Sequence, residues 1–158
     1  MEKEYSYRNL IMWQRAQALA FSVIKLTERL PHNWSNAIIA RQIIAAATSI
    51  GANIAEGHGR FTPGAHGNHL SIAKGSAAET DSWLDLLRRG SHITEQEETV
   101  LHRECLEISK MLLHKIRELE RLRQAGSESL REWAEPYDAV MTFDEPPVPF
   151  TDSDYVKT

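Results

Sequence analysis

The chain has 158 residues, a single cysteine and a formal charge of −4. That length is most simply one domain, large enough to bury about two-thirds of its unfolded surface without a metal or a disulfide. Cys105 has no partner for an intrachain disulfide and reads as a small buried hydrophobe. No apolar run approaches the roughly 20 residues of a membrane span. No signal-peptide core follows the charged Met-Glu-Lys-Glu-Tyr start, so a cytoplasmic location without a membrane partner is expected.

The net charge hides an asymmetry. Residues 8–124 carry fifteen Lys/Arg against twelve Asp/Glu, a net of +3, whereas residues 125–158 carry two against eight, a net of −6. A mildly basic body with an acidic tail suits either a nucleic-acid-facing surface or ordinary solvated helix faces.

The first helix is expected over about residues 7–30. Leu10, Trp13, Ala16, Ala20, Ile24 and Thr27 recur at three- and four-residue steps, and Pro31 stops the run. Trp34, in the following connection, is expected to lie as a lid on a bundle end. The second helix is expected over about residues 36–56, with Ser35 or Asn36 as N-cap. Its centre, Ile43 to Gly57, is apolar and small-sided almost all round, which asks for burial on more than one side. Gly51 there costs about 1 kcal/mol of helix propensity, suggesting close packing or a bend. Gly57, His58 and Gly59 end the helix.

Gly57 to Gly64 is glycine-rich but lacks the preceding strand and the following Gly-Lys-Ser/Thr of a phosphate-binding loop. Thr62-Pro63 reads instead as N-cap and first position of a third helix, Pro63–Arg89, closed by Gly90. Its Lys74-Gly-Ser-Ala-Ala78 patch is expected to face the small residues of the second helix. Thr94-Glu-Gln-Glu97 is a capping box opening a fourth helix to about residue 124, with Leu101, Cys105, Ile108, Leu112, Ile116 and Leu119 as its apolar face. Beyond Gly126 the pattern fades, with at most a turn over residues 130–133. The proline-containing tail keeps Trp133, Tyr137, Phe143, Phe150 and Tyr155, so it is expected to be extended or packed on a bundle. The fold class is therefore all-α: an antiparallel up-down-up-down four-helix bundle over residues 1–124, with an irregular acidic tail over 125–158.

Asn53, Glu56, Ser76 and Glu79 form the sharpest constellation. Each pair is three residues apart, so each shares a helix face in small-residue surroundings. An enclosed carboxylate needs partners, with Arg41, Arg60 or Lys74 available. The quartet reads as a buried polar network, or as a ligand or interface site. A basic surface would draw on Arg41, Arg60, Lys74, Arg88 and Arg89, with Arg8 and Arg15 as further candidates. A di-metal bundle site needs Glu-x-x-His on two helices. No Glu here has a His three residues on, so neither a metal site nor a cofactor is expected. No spacing selects a catalytic pair, and no enzymatic activity is expected.

Trp13-Gln-Arg-Ala16, Gln42 with Ala46-Ala-Thr-Ser-Ile50, Asn53-Ile-Ala-Glu-Gly57, Leu70-Ser-Ile-Ala-Lys-Gly-Ser76 and Glu79 resemble the four-helix-bundle proteins encoded by intervening sequences of large-subunit ribosomal RNA genes. The resemblance spans about residues 7–122. It implies an antiparallel bundle assembling as a ring-like homopentamer, with no known enzymatic activity. A related bundle, the accessory protein of diversity-generating retroelements, binds nucleic acid and a reverse transcriptase. The pattern departs at Ile44 and Ala45, where the family usually carries arginines, and at Gly51, where it usually carries proline. Fewer cations weaken nucleic-acid binding; a greasier helix suits a subunit contact. The expected partners are thus further copies of the chain, then nucleic acid or another protein.

Overall fold

A computed structural model describes residues 6–133, with side chains through Gly126. The chain divides into two compact units, Met1–Ala125 and Gly126–Thr158. The helices are α1 (Ile11–Thr27), α2 (Trp34–His58), α3 (Pro63–Arg89) and α4 (Glu95–Trp133), and no strand occurs among the described residues.

The first unit is built around one core. Leu19, Val23 and Leu26 of α1, Ile43, Ile50 and Ile54 of α2, Leu70, Leu84 and Leu87 of α3, and Ile108 and Leu112 of α4 are all buried in it. The charged contacts fix the order of the helices. Arg15 grips Glu104 through two nitrogens at 2.9–3.1 Å, and Arg29, just beyond α1, reaches Glu97 at 2.8 Å. The end of α1 therefore lies against the start of α4. Asp81, late in α3, faces His102, early in α4, at 2.6 Å. With α1 on α2 and α2 on α3, the helices form an antiparallel ring of four neighbours, the expected up-down-up-down bundle.

The ends of the helices correct several expectations. α1 starts later than residue 7, because Tyr7–Asn9 form a separate 3-10 turn and Leu10 is extended. It stops at Thr27, well short of Pro31. Arg29 and Leu30 donate to carbonyls three residues back, a tightened last turn that leaves Leu30 free of the α conformation proline disfavours. Asn33, not Ser35 or Asn36, caps α2, its Oδ1 accepting from the Asn36 N–H at 2.8 Å. Asn36 is buried inside the helix and donates to the Pro31 carbonyl at 2.8 Å. Trp34 then becomes the first residue of α2 and is 83% exposed, so it is not a lid.

α3 has the expected bounds. Thr62 Oγ1 accepts from the Ala65 N–H at 3.2 Å, with Pro63 at the first position. Its C-cap is Gly90, as expected, and the left-handed residue that follows is Ser91. Ser91 has φ 58°, and the N–H groups of Ser91 and His92 donate to the Arg88 and Leu87 carbonyls, both at 2.9 Å. A non-glycine residue in that region costs about 1–2 kcal/mol. Ser91→Gly should therefore raise thermal stability by about 1 kcal/mol, read as a melting shift of a few degrees.

The capping box of α4 forms as written in the sequence. Thr94 N–H donates to Glu97 Oε2 at 2.9 Å, and Glu97 N–H donates back to Thr94 Oγ1 at 3.2 Å. The Thr94 amide, with Arg29 beside it, holds the Glu97 carboxyl below its ordinary range. α4 runs past Gly126 to Trp133, further than the apolar stripe indicates. Leu122 ends the stripe, but the following residues are mostly good helix formers, and one glycine costs only about 1 kcal/mol. Losing apolar periodicity ended the buried face, not the helix. The expectation for the tail beyond Trp133 lies outside the described residues. Cys105 is buried, and burial pushes its thiol up to about 12, which leaves it a packing residue.

Candidate functional site

The α2–α3 seam carries a continuous polar chain that runs from buried Ser76 through half-buried Ser49, Asn53 and His69 to exposed Arg60 and Glu56, so the Glu56 carboxylate is not enclosed as expected. Ser76, on the α2-facing side of α3, pairs its hydroxyl with that of Ser49 at 2.9 Å. Asn53, one turn along α2, donates from Nδ2 to the Ser49 carbonyl at 2.9 Å and to its hydroxyl at 3.1 Å. Asn53 Oδ1 lies 3.4 Å from His69 Nδ1. Arg60, in the connection, donates from Nε to His69 Nε2 at 3.1 Å and pairs with Glu56 through Nη2.

The donor directions determine one another. Arg60 can only donate, so His69 Nε2 accepts and the imidazole proton sits on Nδ1, facing Asn53 Oδ1. That leaves the Asn53 amide nitrogen for Ser49. The chain from Ser76 to Glu56 thus runs with consistent polarity and ties α2 to α3 in one register.

Asn53, Glu56 and Ser76 therefore meet in one network, with Arg60 as the cation. Glu79 does not join them. It is exposed and takes the Trp83 indole N–H at 3.4 Å. The seam side of α3 runs from Ser76 to Thr80, whose hydroxyl donates to the Ser76 carbonyl at 2.8 Å; Glu79 falls beside that line. Ser49 and His69 are members that the spacing argument missed. Ser49 stands four before Asn53 and His69 seven before Ser76, so extending the same-face count by one step in α2 and two in α3 would have reached them. Of the Lys74–Ala78 patch, Ser76 and Ala77 are buried, but Gly75 faces open space.

The chemistry of this seam is structural. The two serine hydroxyls are engaged with each other, and His69 faces an amide and a guanidinium rather than a hydroxyl to activate. Among the described residues no group of three or more His, Cys, Asp or Glu is placed to hold a metal ion. A cleft of about 460 Å³ opens at the α1–α2 connection beside Trp34. Its amide groups, Asn33 and Asn36, already serve the backbone.

The basic candidates are partly neutralised. Arg60 is held by Glu56, and Arg88 and Arg89 both turn to Asp85, at 3.6 and 2.7 Å. Arg15 is engaged by Glu104, and Arg8 lies over the Tyr7 ring at 5.9 Å. Arg41 and Lys74 make no ion pair among the described residues.

The outward face of α2 is mostly apolar. Trp34, Ile38, Arg41, Ala45, Thr48 and Ala52 follow one another at alternating four- and three-residue steps, and all are exposed. Arg41 is the one charge in that line, and the Thr48 hydroxyl is turned inward to the Ile44 carbonyl at 2.8 Å. α2 is long and apolar enough to cross a membrane by length and composition, at a mean hydropathy of 1.4 over its most apolar stretch. The run-length expectation is corrected here, because interspersed Thr, Ser and Asn do not much lower the average. Its Ile43, Ala46, Ala47, Ile50 and Ile54 are nevertheless buried in the bundle. Ile44, at a usual arginine position of the resembled family, is half-buried against its own core, whereas Ala45 is exposed.

Comparison with known proteins fits this architecture. The family model described as 23S rRNA-intervening sequence protein matches residues 8–114. The chain belongs to that family. A similar solved structure is a protein with unknown function from the S23 ribosomal protein family of Bacteroides thetaiotaomicron VPI-5482. It is 30% identical, with a TM-score of 0.63 over 67% of this chain and 98% of that one. No curated protein matches. Membership carries the four-helix fold, and the similar solved structure is of a protein of unknown function; the matched region ends within α4.

Proposed function

We propose that this family member is a non-enzymatic, cytoplasmic, homo-oligomeric bundle that serves as a binding or scaffold module, assembled through the outward face of α2. The supporting observation is the exposed line of Trp34, Ile38, Arg41, Ala45, Thr48 and Ala52, in which Arg41 is the one charge. Its four-three spacing is that of a helix seam, and its small side chains allow close approach. A mostly apolar exposed face of this kind supports an association surface.

The charges are consistent with it. On α2 and α3, Glu56, Asp81, Asp85, Arg88 and Arg89 all face a charged or imidazole partner within the chain. Arg41, Lys74 and Glu79 are left without an ion pair among the described residues, available to a neighbouring copy. A contact between two different patches repeats head to tail and closes into a ring when its rotation allows.

Ala45→Glu combined with Ala52→Glu tests the surface. Both side chains are exposed, so the helix content and the melting temperature of the fold should be kept. Each carboxylate would have to be desolvated at the seam, a penalty of several kcal/mol. Sedimentation should therefore show the variant as a monomer. Unchanged assembly of the variant would place the contact elsewhere.

A further inference from the structure

Three of the seven histidines, His58, His66 and His69, gather where α2 passes into α3. His66 is half-buried in the first turns of α3. A Cβ built on Gly57 of α2 would sit 3.1 Å from the His66 ring and 3.3 Å from its carbonyl oxygen, so the ring is wedged against the α2 backbone. The groups facing it are His58 from α2, His69 from α3, and Lys115 and Glu118 from α4. Lys115 already holds Glu118 at 3.0 Å, so the carboxylate is engaged. Arg60 approaches from the connection, bound to His69.

We propose that this end of the bundle is an acid-operated latch, in which protonation of His66 releases the first turns of α3 from α2 and α4. A proton on His66 enters a half-buried site beside a lysine and two imidazoles, with its one facing acid in use. The turns it would release are the weakest of α3, since Pro63, Gly64 and Gly67 contribute little helix propensity. The Thr62 cap, the Arg123 methylene near Gly64 and the His66 contact with Gly57 hold that tip, so a penalty on His66 falls on one of its few anchors and is expressed there as opening.

Burial, then Lys115, His58 and His69, hold the His66 pKa below its ordinary value, against a raising effect of Glu118. A base whose folded pKa lies below its unfolded value leaves stability complete above about pH 6.5. Stability is then lost as the pH falls from there toward the folded value. The latch lies within one chain, so it goes beyond assembly and is readable in monomer or oligomer alike.

Hydrogen exchange of the full chain, corrected for intrinsic rates, tests it at about pH 7.5 and about pH 5.5. The opening constant of amides 65–70 should rise by up to about tenfold per pH unit below about 6.5, while amides 105–112 of α4 stay protected. His66→Gln should abolish that local response. Lys115→Gln, which removes the charge and keeps much of the half-buried side chain, should reduce it without altering the fold. No acid-dependent opening at 65–70, or an undiminished response in both variants, overturns the latch.

Discussion

Gly57→Leu should destabilise the protein by about 3 kcal/mol or more, while Gly51→Ala, on the same helix, should stabilise it by up to about 1 kcal/mol. Both glycines are buried, and neither has a positive φ, so backbone strain does not distinguish them. Their surroundings do. A Cβ on Gly57 would lie 3.0 Å from His69 Cβ, 3.1 Å from the His66 ring and 3.3 Å from the His66 carbonyl. His69 Cβ and the carbonyl are fixed to the α3 backbone, so the helices themselves would have to part. A Cβ on Gly51 would lie 2.5 Å from Gln17 Nε2, with the Ala16 methyl next at an ordinary 3.8 Å. Gln17 is exposed and can swing its amide into water, leaving the gain in helix propensity. Urea midpoints with unchanged slopes would measure both effects. The same sign for both would mean that the α2–α3 approach is not as close as described.

Asn53→Ala should cost about 1–3 kcal/mol, and Glu79→Ala should fall within about 0.5 kcal/mol of wild type. Asn53 sits in the middle of the polar chain. Its loss leaves the Ser49 hydroxyl and His69 Nδ1 without that partner in a half-buried seam where water cannot fully replace it. Glu79 gives up one long bond from the Trp83 indole, at an exposed position. Thermal melts of the two variants, side by side, separate a network member from a bystander that shares its sequence neighbourhood.

That contrast shows where sequence reasoning reached and where it stopped. α3 was legible to the residue because Thr62-Pro63 is a strong start and the double arginine before Gly90 a strong stop. The capping box of α4 was equally explicit. The start of α2 was not, because Asn33, Ser35 and Asn36 are all chemically suitable caps, and only the three-dimensional path from Pro31 selects Asn33. The far end of α4 was missed because apolar periodicity reports a buried face rather than a helix, and that stripe ends at Leu122. For the polar seam, spacing named Asn53, Glu56 and Ser76. It could not exclude Glu79, since three-residue and four-residue steps fall on opposite sides of a face. Arg60 could be named only as one of three available cations, because its choice depends on the turn that brings it back over Glu56. The two halves of α2 illustrate the same limit. Its composition showed a helix apolar all round, and the fold divides that surface into a core side through Ile43, Ile50 and Ile54 and an outward side through Ile38, Ala45 and Ala52.

The outward side is central, because the proposed assembly rests on it. The most direct measurement is the mass of the native chain by light scattering after size exclusion, at micromolar concentration and below. A stable multiple of the 18.0 kDa chain mass is predicted, persisting on dilution. A clean 18.0 kDa monomer at every concentration would contradict it and leave the apolar face of α2 without the role assigned to it.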